Sequence, residues 1–136
     1  MNIHKIAFFE GIDSIVIKEI ETGCSAKSFN KGETIFKKGD RADFLYILEQ
    51  GEIDLVFQEK NMSLFSLNQP GEVFGWSSLV EKGVFTSTSI CRSATTVQRI
   101  SKKNIEKIFN QYPEAAVTFY RRLGSIFSKR ISKVFE

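Results

Sequence analysis

"FNKGETIFKKGDRADFLYILEQGEIDL", residues 29–55, decides the fold through its punctuation. Gly32, Gly39 and Gly51 fall in "NKGE", "KKGD" and "EQGE", between short runs of Ile, Leu, Phe and Tyr. At such turns a positive φ is cheap only for glycine, and Asp40 is placed to brace its own turn. Phe36, Leu45, Tyr46, Ile47 and Leu48 are expected to supply a barrel interior. The same punctuation continues in "EKN" and "NQPGE", and "EIDLVFQE" alternates in part. "FTSTSIC" and "SATTVQRIS" add β-branched residues that favour pleated surfaces. Closely spaced short strands of this kind predict an all-β sandwich or barrel.

Helical periods flank the strands. "FFEGIDSIVIKEIETG" places Ile12, Ile15, Val16 and Ile20 on one face and stops at Gly23, a C-terminal signal. In "SKKNIEKIFNQY" Ser101 is the N-cap, and Ile105, Ile108 and Phe109 share one side. Pro113 suits the first turn of a further helix. Along it Ala116, Tyr120, Leu123, Phe127, Ile131 and Val134 follow steps of three and four, with Phe119 and Ile126 widening the stripe. Gly124 lies within and costs about 1 kcal/mol against Ala, so close packing is its expected reason. The expectation is one domain over 1–136: an N-terminal helix at 1–23, a β-barrel at 24–100 and two C-terminal helices at 101–136.

Composition narrows the function classes. With 42% apolar residues and 13 phenylalanines the 136-residue chain has ample core material. It holds no run of about 18 uncharged apolar residues to span a membrane, and its start lacks the form of a secretion signal, so a cytoplasmic protein is expected. Cys24 and Cys91 have no metal-type spacing and read as two free, buried thiols. Charge is uneven: eight Lys/Arg stand against three Asp/Glu from Ser101 onward, a net +5, and eleven against thirteen before it, a net −2. Such a basic tail suits an acidic partner or a solvated helix face. The single histidine, His4, lies outside the strands, which leaves no metal-binding barrel and no Ser–His or Cys–His pair. No enzyme, no metal and no cofactor is expected.

The glycine-punctuated stretch, followed by "GEVFGWSSL" and two terminal helices, resembles the cyclic-nucleotide-binding domains of catabolite-activator-type regulators and of cyclic-nucleotide-dependent kinases and channels. The resemblance covers nearly the whole chain. It implies a fold that is mainly β with flanking helices: a double-stranded β-helix, or jelly-roll, barrel of about eight strands. It also implies a phosphate-binding cassette within 71–90. In the family that cassette reads Phe-Gly-Glu, then Leu and small residues, then about ten residues on an Arg before a small polar residue and Ala. The glutamate accepts from the ribose 2′-hydroxyl, and the arginine pairs with the cyclic phosphate, a match of planar guanidinium to oxygen pairs. Here Phe74, Gly75 and Leu79 match. Trp76 stands for the glutamate, Thr86 for the arginine, Ser87 for the small polar residue and Thr88 for the alanine. Glu72, Lys82 and Arg92 stand at the wrong positions to replace the lost charges.

Three readings of this loop stay open. The pocket is retuned, with Ser77, Ser78, Thr86, Ser87 and Thr88 offering hydroxyls and Trp76 a stacking face. It has collapsed around Trp76 and Phe85 into a ligand-free interaction module. Or backbone amides alone still hold a cyclic nucleotide weakly. The expected site is Phe74, Gly75, Trp76, Ser77, Ser78, Thr86, Ser87 and Thr88, taking a cyclic nucleotide or another small molecule. The regulator branch also implies a homodimer through the last helix, here through Tyr120, Leu123, Phe127 and Ile131, with Arg130 near the seam. A helix-turn-helix would need more chain than follows 101–136, so no DNA-binding domain is expected. Output would then pass to a downstream protein.

Overall fold

The computed structural model describes residues 1–57, 63–79 and 83–134. The "EKN" turn, Lys82 and the side chains of Lys133 and Val134 lie outside that description. Eight strands form two antiparallel four-stranded sheets, a jelly roll. They are β1 (Ser25–Phe29), β2 (Thr34–Phe36), β3 (Phe44–Gln50), β4 (Ile53–Val56), β5 (Ser63–Leu67), β6 (Val73–Phe74), β7 (Thr88–Cys91) and β8 (Thr95–Ser101). One sheet has the order β1-β8-β3-β6 and the other β2-β7-β4-β5. Helices α1 (Ser14–Gly23), α2 (Lys102–Gln111) and α3 (Pro113–Val134) flank them. The segment before α1 is two 3-10 turns, Ile3–Lys5 and Ala7–Phe9, rather than one helix from the start.

The turn chemistry acts as read. Gly32, Gly39 and Gly51 have φ of +87°, +90° and +110°, and the Asp40 carboxylate accepts from the Lys37 N–H at 3.3 Å. Ser101 accepts from the Asn104 N–H at 3.1 Å, ending β8 and capping α2 in one residue. The expected barrel run, however, divides by strand alternation. Tyr46 and Leu48 join Phe36, Phe74 and Val97 between the sheets, whereas Leu45 and Ile47 face outward into a second core with Val73, Ile100 and the helices. Both faces of β3 are buried, so its apolar run carries no polar alternation to mark the inside.

Two expectations about α1 change. Ile15 is 61% exposed and Ile17 takes its place beside Val16 and Ile20. Gly23 is no left-handed cap: a Cβ there would stand 3.0 Å from Ile100 Cδ1, so it is small because β8 passes close. Cys24 and Cys91 are free, with Cys24 only partly buried. Burial, aided by Glu21, pushes the Cys24 thiol up to about 11.

The helical core is aromatic. Phe119 is fully buried, edge-on to Phe8 at 5.0 Å and tilted against Phe109 at 4.9 Å. Arg122, expected on a solvated face, donates to the carbonyls of Ala7 and Phe8 and ties α3 to the N-terminal turns. On the other sheet the buried Asp54 accepts from Ser66 at 2.7 Å and from Arg92. Among the described residues no helix is long and apolar enough to cross a membrane.

Candidate functional site

The cassette begins where β6 ends. Gly75 turns the chain at φ +77°, and a Cβ there would stand 2.8 Å from Tyr46 Cδ2. The 3-10 turn Trp76–Leu79 follows. Ser78 folds back on it, its hydroxyl donating to the Gly75 carbonyl at 3.1 Å. The Trp76 indole donates to the Val73 carbonyl at 3.0 Å, which fixes the ring as a wall. Phe74 points the other way, stacked on Tyr46 at 5.3 Å in the barrel.

A cavity of about 270 Å³ opens beside this turn. Five of the eight expected residues line it: Gly75, Trp76, Ser77, Thr86 and Ser87. Three do not. Phe74 is core, Ser78 is fully buried with its hydroxyl committed, and the Thr88 hydroxyl, away from the cavity, accepts from the Lys38 N–H at 2.9 Å. A serine- and threonine-rich stretch cannot reveal which hydroxyls the backbone has claimed. Phe85 is buried and stacks on Phe36 at 3.8 Å. It narrows the space as the collapsed reading expected, while the cavity itself remains.

The wall that sequence reasoning missed comes from α3. Phe127, Arg130 and Ile131 line the cavity with Leu55, Phe57 and Phe65 from the barrel. Arg130, expected near the seam, reaches into this cavity. Its guanidinium lies 4.8 Å from the Trp76 ring centre and 5.5 Å from that of Phe65. Burial pulls its pKa below the ordinary arginine value, an effect Glu72 partly opposes. Among the described residues it makes no hydrogen bond and no ion pair within 4 Å. Two charges that the sequence places near the cassette are engaged elsewhere: Glu72 caps the Asn68 and Gln69 N–H groups at 3.1 and 3.0 Å, and Arg92 holds Asp54. No single signal marks Arg130 in the sequence beyond its place beside the apolar stripe. A larger open groove of about 810 Å³ lies behind it, between the N-terminal turns and α3, with Lys5, Arg122 and Lys129 on its rim.

The residues expected at a dimer face also separate. Leu123 is 7% exposed and packs into the helical core with Phe119. Tyr120, Phe127 and Ile131 are 44%, 55% and 40% exposed, and Val117 joins them. Val117, Tyr120, Gly124, Phe127 and Ile131 thus make a seam of alternating three- and four-residue steps. Among the described residues, the nearby backbone of α3 aside, nothing lies within 4 Å of a Cβ built on Gly124, so contacts with the rest of the fold do not explain this glycine. Among the described residues no group of three or more His, Cys, Asp or Glu converges as metal ligands would. His4 Nε2 lies 3.8 Å from Glu21.

The cyclic nucleotide-binding domain family matches residues 26–112, more than half of the chain. Over 131 residues, 94% of the chain, it is 22% identical to the cyclic nucleotide-gated channel beta-3 of Mus musculus. Over 101 residues, 74% of the chain, it is 27% identical to a cGMP-dependent protein kinase of Plasmodium berghei. These alignments span 19% and 11% of those proteins' own lengths. The fold is similar to that of a putative cyclic nucleotide-binding protein from Geobacter metallireducens, with TM-score 0.82 and 24% identity, covering 93% of this chain and 92% of that one.

Proposed function

The chain belongs to the cyclic nucleotide-binding domain family, and on that premise we propose that it is a regulatory sensor domain, not an enzyme. It takes a small ligand other than tightly bound cAMP in the cassette cavity and passes the event on through α3. One observation carries this reading: cassette and α3 wall the same cavity, so a ligand touching Trp76 also touches Phe127, Arg130 and Ile131. A ligand that prefers one position of α3 then shifts the population of that position. The exclusion of tight cAMP rests on Trp76 and Thr86. Each lost charge-assisted hydrogen bond is worth about 1.5–3 kcal/mol, and every 1.4 kcal/mol is about tenfold in affinity. The setting proposed is the cytoplasm, where two free cysteines are unexceptional.

Calorimetry with cAMP, cGMP and a panel of metabolites tests the reading. cAMP is expected to bind more weakly than about micromolar, and another small molecule to bind with heat. Submicromolar cAMP overturns the argument from the missing charges. No heat from any compound, with Trp76 shielded from quenchers, replaces the sensor by a ligand-free scaffold.

The output we propose is a homodimer along the Val117–Ile131 seam, read by an unidentified downstream protein. Its spacing matches the three-four repeat by which helices pack in pairs, and the bare Gly124 lets two backbones approach. Sedimentation is expected to show a two-chain species that weakens in Tyr120→Asp and in Gly124→Leu. Leu123→Asp is a poor probe because it charges the core. A monomer at tens of micromolar, a range set by about 6–7 kcal/mol of association energy, ends the dimer proposal.

A further inference from the structure

Resting on the sensor reading, we propose that the cavity takes a small planar aromatic monoacid, with the Arg130 guanidinium of α3 as its counter-charge in place of the missing cassette arginine. Five properties of the cavity point to that class. Among the described residues Arg130 is the one charged group that lines it and no carboxylate does, so a single negative charge balances it. The guanidinium is half-buried over two aromatic rings yet holds no acceptor among the described residues. Ring faces stabilise a cation but leave its planar fork of N–H donors unused, and a carboxylate fits that fork two bonds at a time.

The walls select the rest of the molecule. Phe36, Phe57, Phe65, Trp76, Phe85 and Phe127 enclose a space suited to a flat apolar body. At about 270 Å³ the cavity is below the roughly 300–1,000 Å³ of drug-sized sites, which favours one ring or a fused pair. Ser77, Thr86 and Ser87 supply hydroxyls for a ring substituent or the carboxylate's outer edge. A sugar phosphate is disfavoured by the same walls, since its ribose hydroxyls would meet the Trp76 ring instead of an acceptor.

Trp76 is the single tryptophan of the chain, so its fluorescence reports the site directly. Benzoate and 4-methylbenzoate are titrated against the neutral benzamide and 4-methylbenzamide. In the intact chain the acids are expected to bind at least about tenfold more tightly than the amides. Salt at about 0.5 M should weaken the acids and spare the amides. Arg130→Gln is expected to remove the acid–amide gap, Arg130→Lys to keep part of it, and Thr86→Phe to block both probe types by filling the cavity. Lys129→Gln lines the groove but not the cavity and is expected to keep the gap. Amides binding as well as acids, or a gap that survives Arg130→Gln, overturns the counter-charge assignment while leaving a ligand site in place. A gap lost in Lys129→Gln overturns the location. No response to any probe overturns the ligand class, and the sensor reading then stands or falls on its own metabolite panel.

Discussion

Phe119→Ala is expected to destabilise the protein by about 3–5 kcal/mol, the usual cost of a large aromatic removed from a closed core. The side chain is fully buried and touches three rings from two separate segments: Phe8 and Phe9 of the N-terminal turns and Phe109 of α2. No neighbouring backbone can collapse into the space without moving one of those elements. The effect reaches the cavity, because α3 carries Phe119 near its start and Phe127, Arg130 and Ile131 further along. With the anchor gone, Leu123 and the Arg122 bonds to two carbonyls carry more of the docking of the helix. Trp76 should therefore become more accessible to acrylamide in native buffer, before the barrel unfolds, as local opening of a weakened element requires. Urea unfolding and quenching on one sample check both parts. Phe119→Leu, which keeps most of the volume, should lose less than half as much. A loss below about 1 kcal/mol would mean that α3 is docked chiefly by other contacts, and the link from ring to cavity would fail with it.

What could be read in advance follows from how local each cause is. The turns at Gly32, Gly39 and Gly51 were legible because a single residue type answers a single backbone demand. The cap at Ser101 and the start of α3 at Pro113 were legible for the same reason. The inward set of β3 was not, because Leu45–Leu48 is buried on both faces and alternation has nothing polar to reveal. Ile15 and Ile17 are equally apolar, and only the docking of α1 against α2, the N-terminal turns and β8 decides between them. At the site, Gly75 and Trp76 could be placed by pattern, since the cassette is contiguous. The hydroxyl of Ser78 and the ring of Phe74 turn away for reasons of turn geometry that composition does not carry. Arg130 comes to Trp76 from the far end of the chain, through a helix whose rotation is set by Phe119 and Leu123. Its sequence position marks it as one basic residue among several, and its role exists only once the helix is docked.

Gly51→Ala tests a close approach that the glycine pattern could not disclose, and about 3–5 kcal/mol of destabilisation is expected from two sources. The first is conformational: φ is +110°, outside even the small left-handed well that other residues visit. The second is steric. A Cβ at Gly51 would lie 2.5 Å from Thr95 Oγ1 and 2.7 Å from both the Ala94 carbonyl oxygen and Thr95 Cα. Two of these three atoms are backbone and have no rotamer to escape into. The crowding has a topological origin: β3 and β4 lie in different sheets, as do β7 and β8. Both crossings occur here, at Gly51 and at Ser93–Ala94, and are stitched by the Arg92 N–H to the Glu52 carbonyl at 2.8 Å and the Glu52 N–H to Ser93 Oγ at 3.0 Å. Gly32→Ala is the matched control, for its φ is +87° but among the described residues nothing lies within 4 Å of the added carbon. It should cost only the conformational part, about 1–2 kcal/mol. Chemical denaturation of both variants therefore separates the contributions by subtraction. Equal losses would mean that the two crossings do not press together, and that Gly51, like Gly32, is required for its dihedral angle alone.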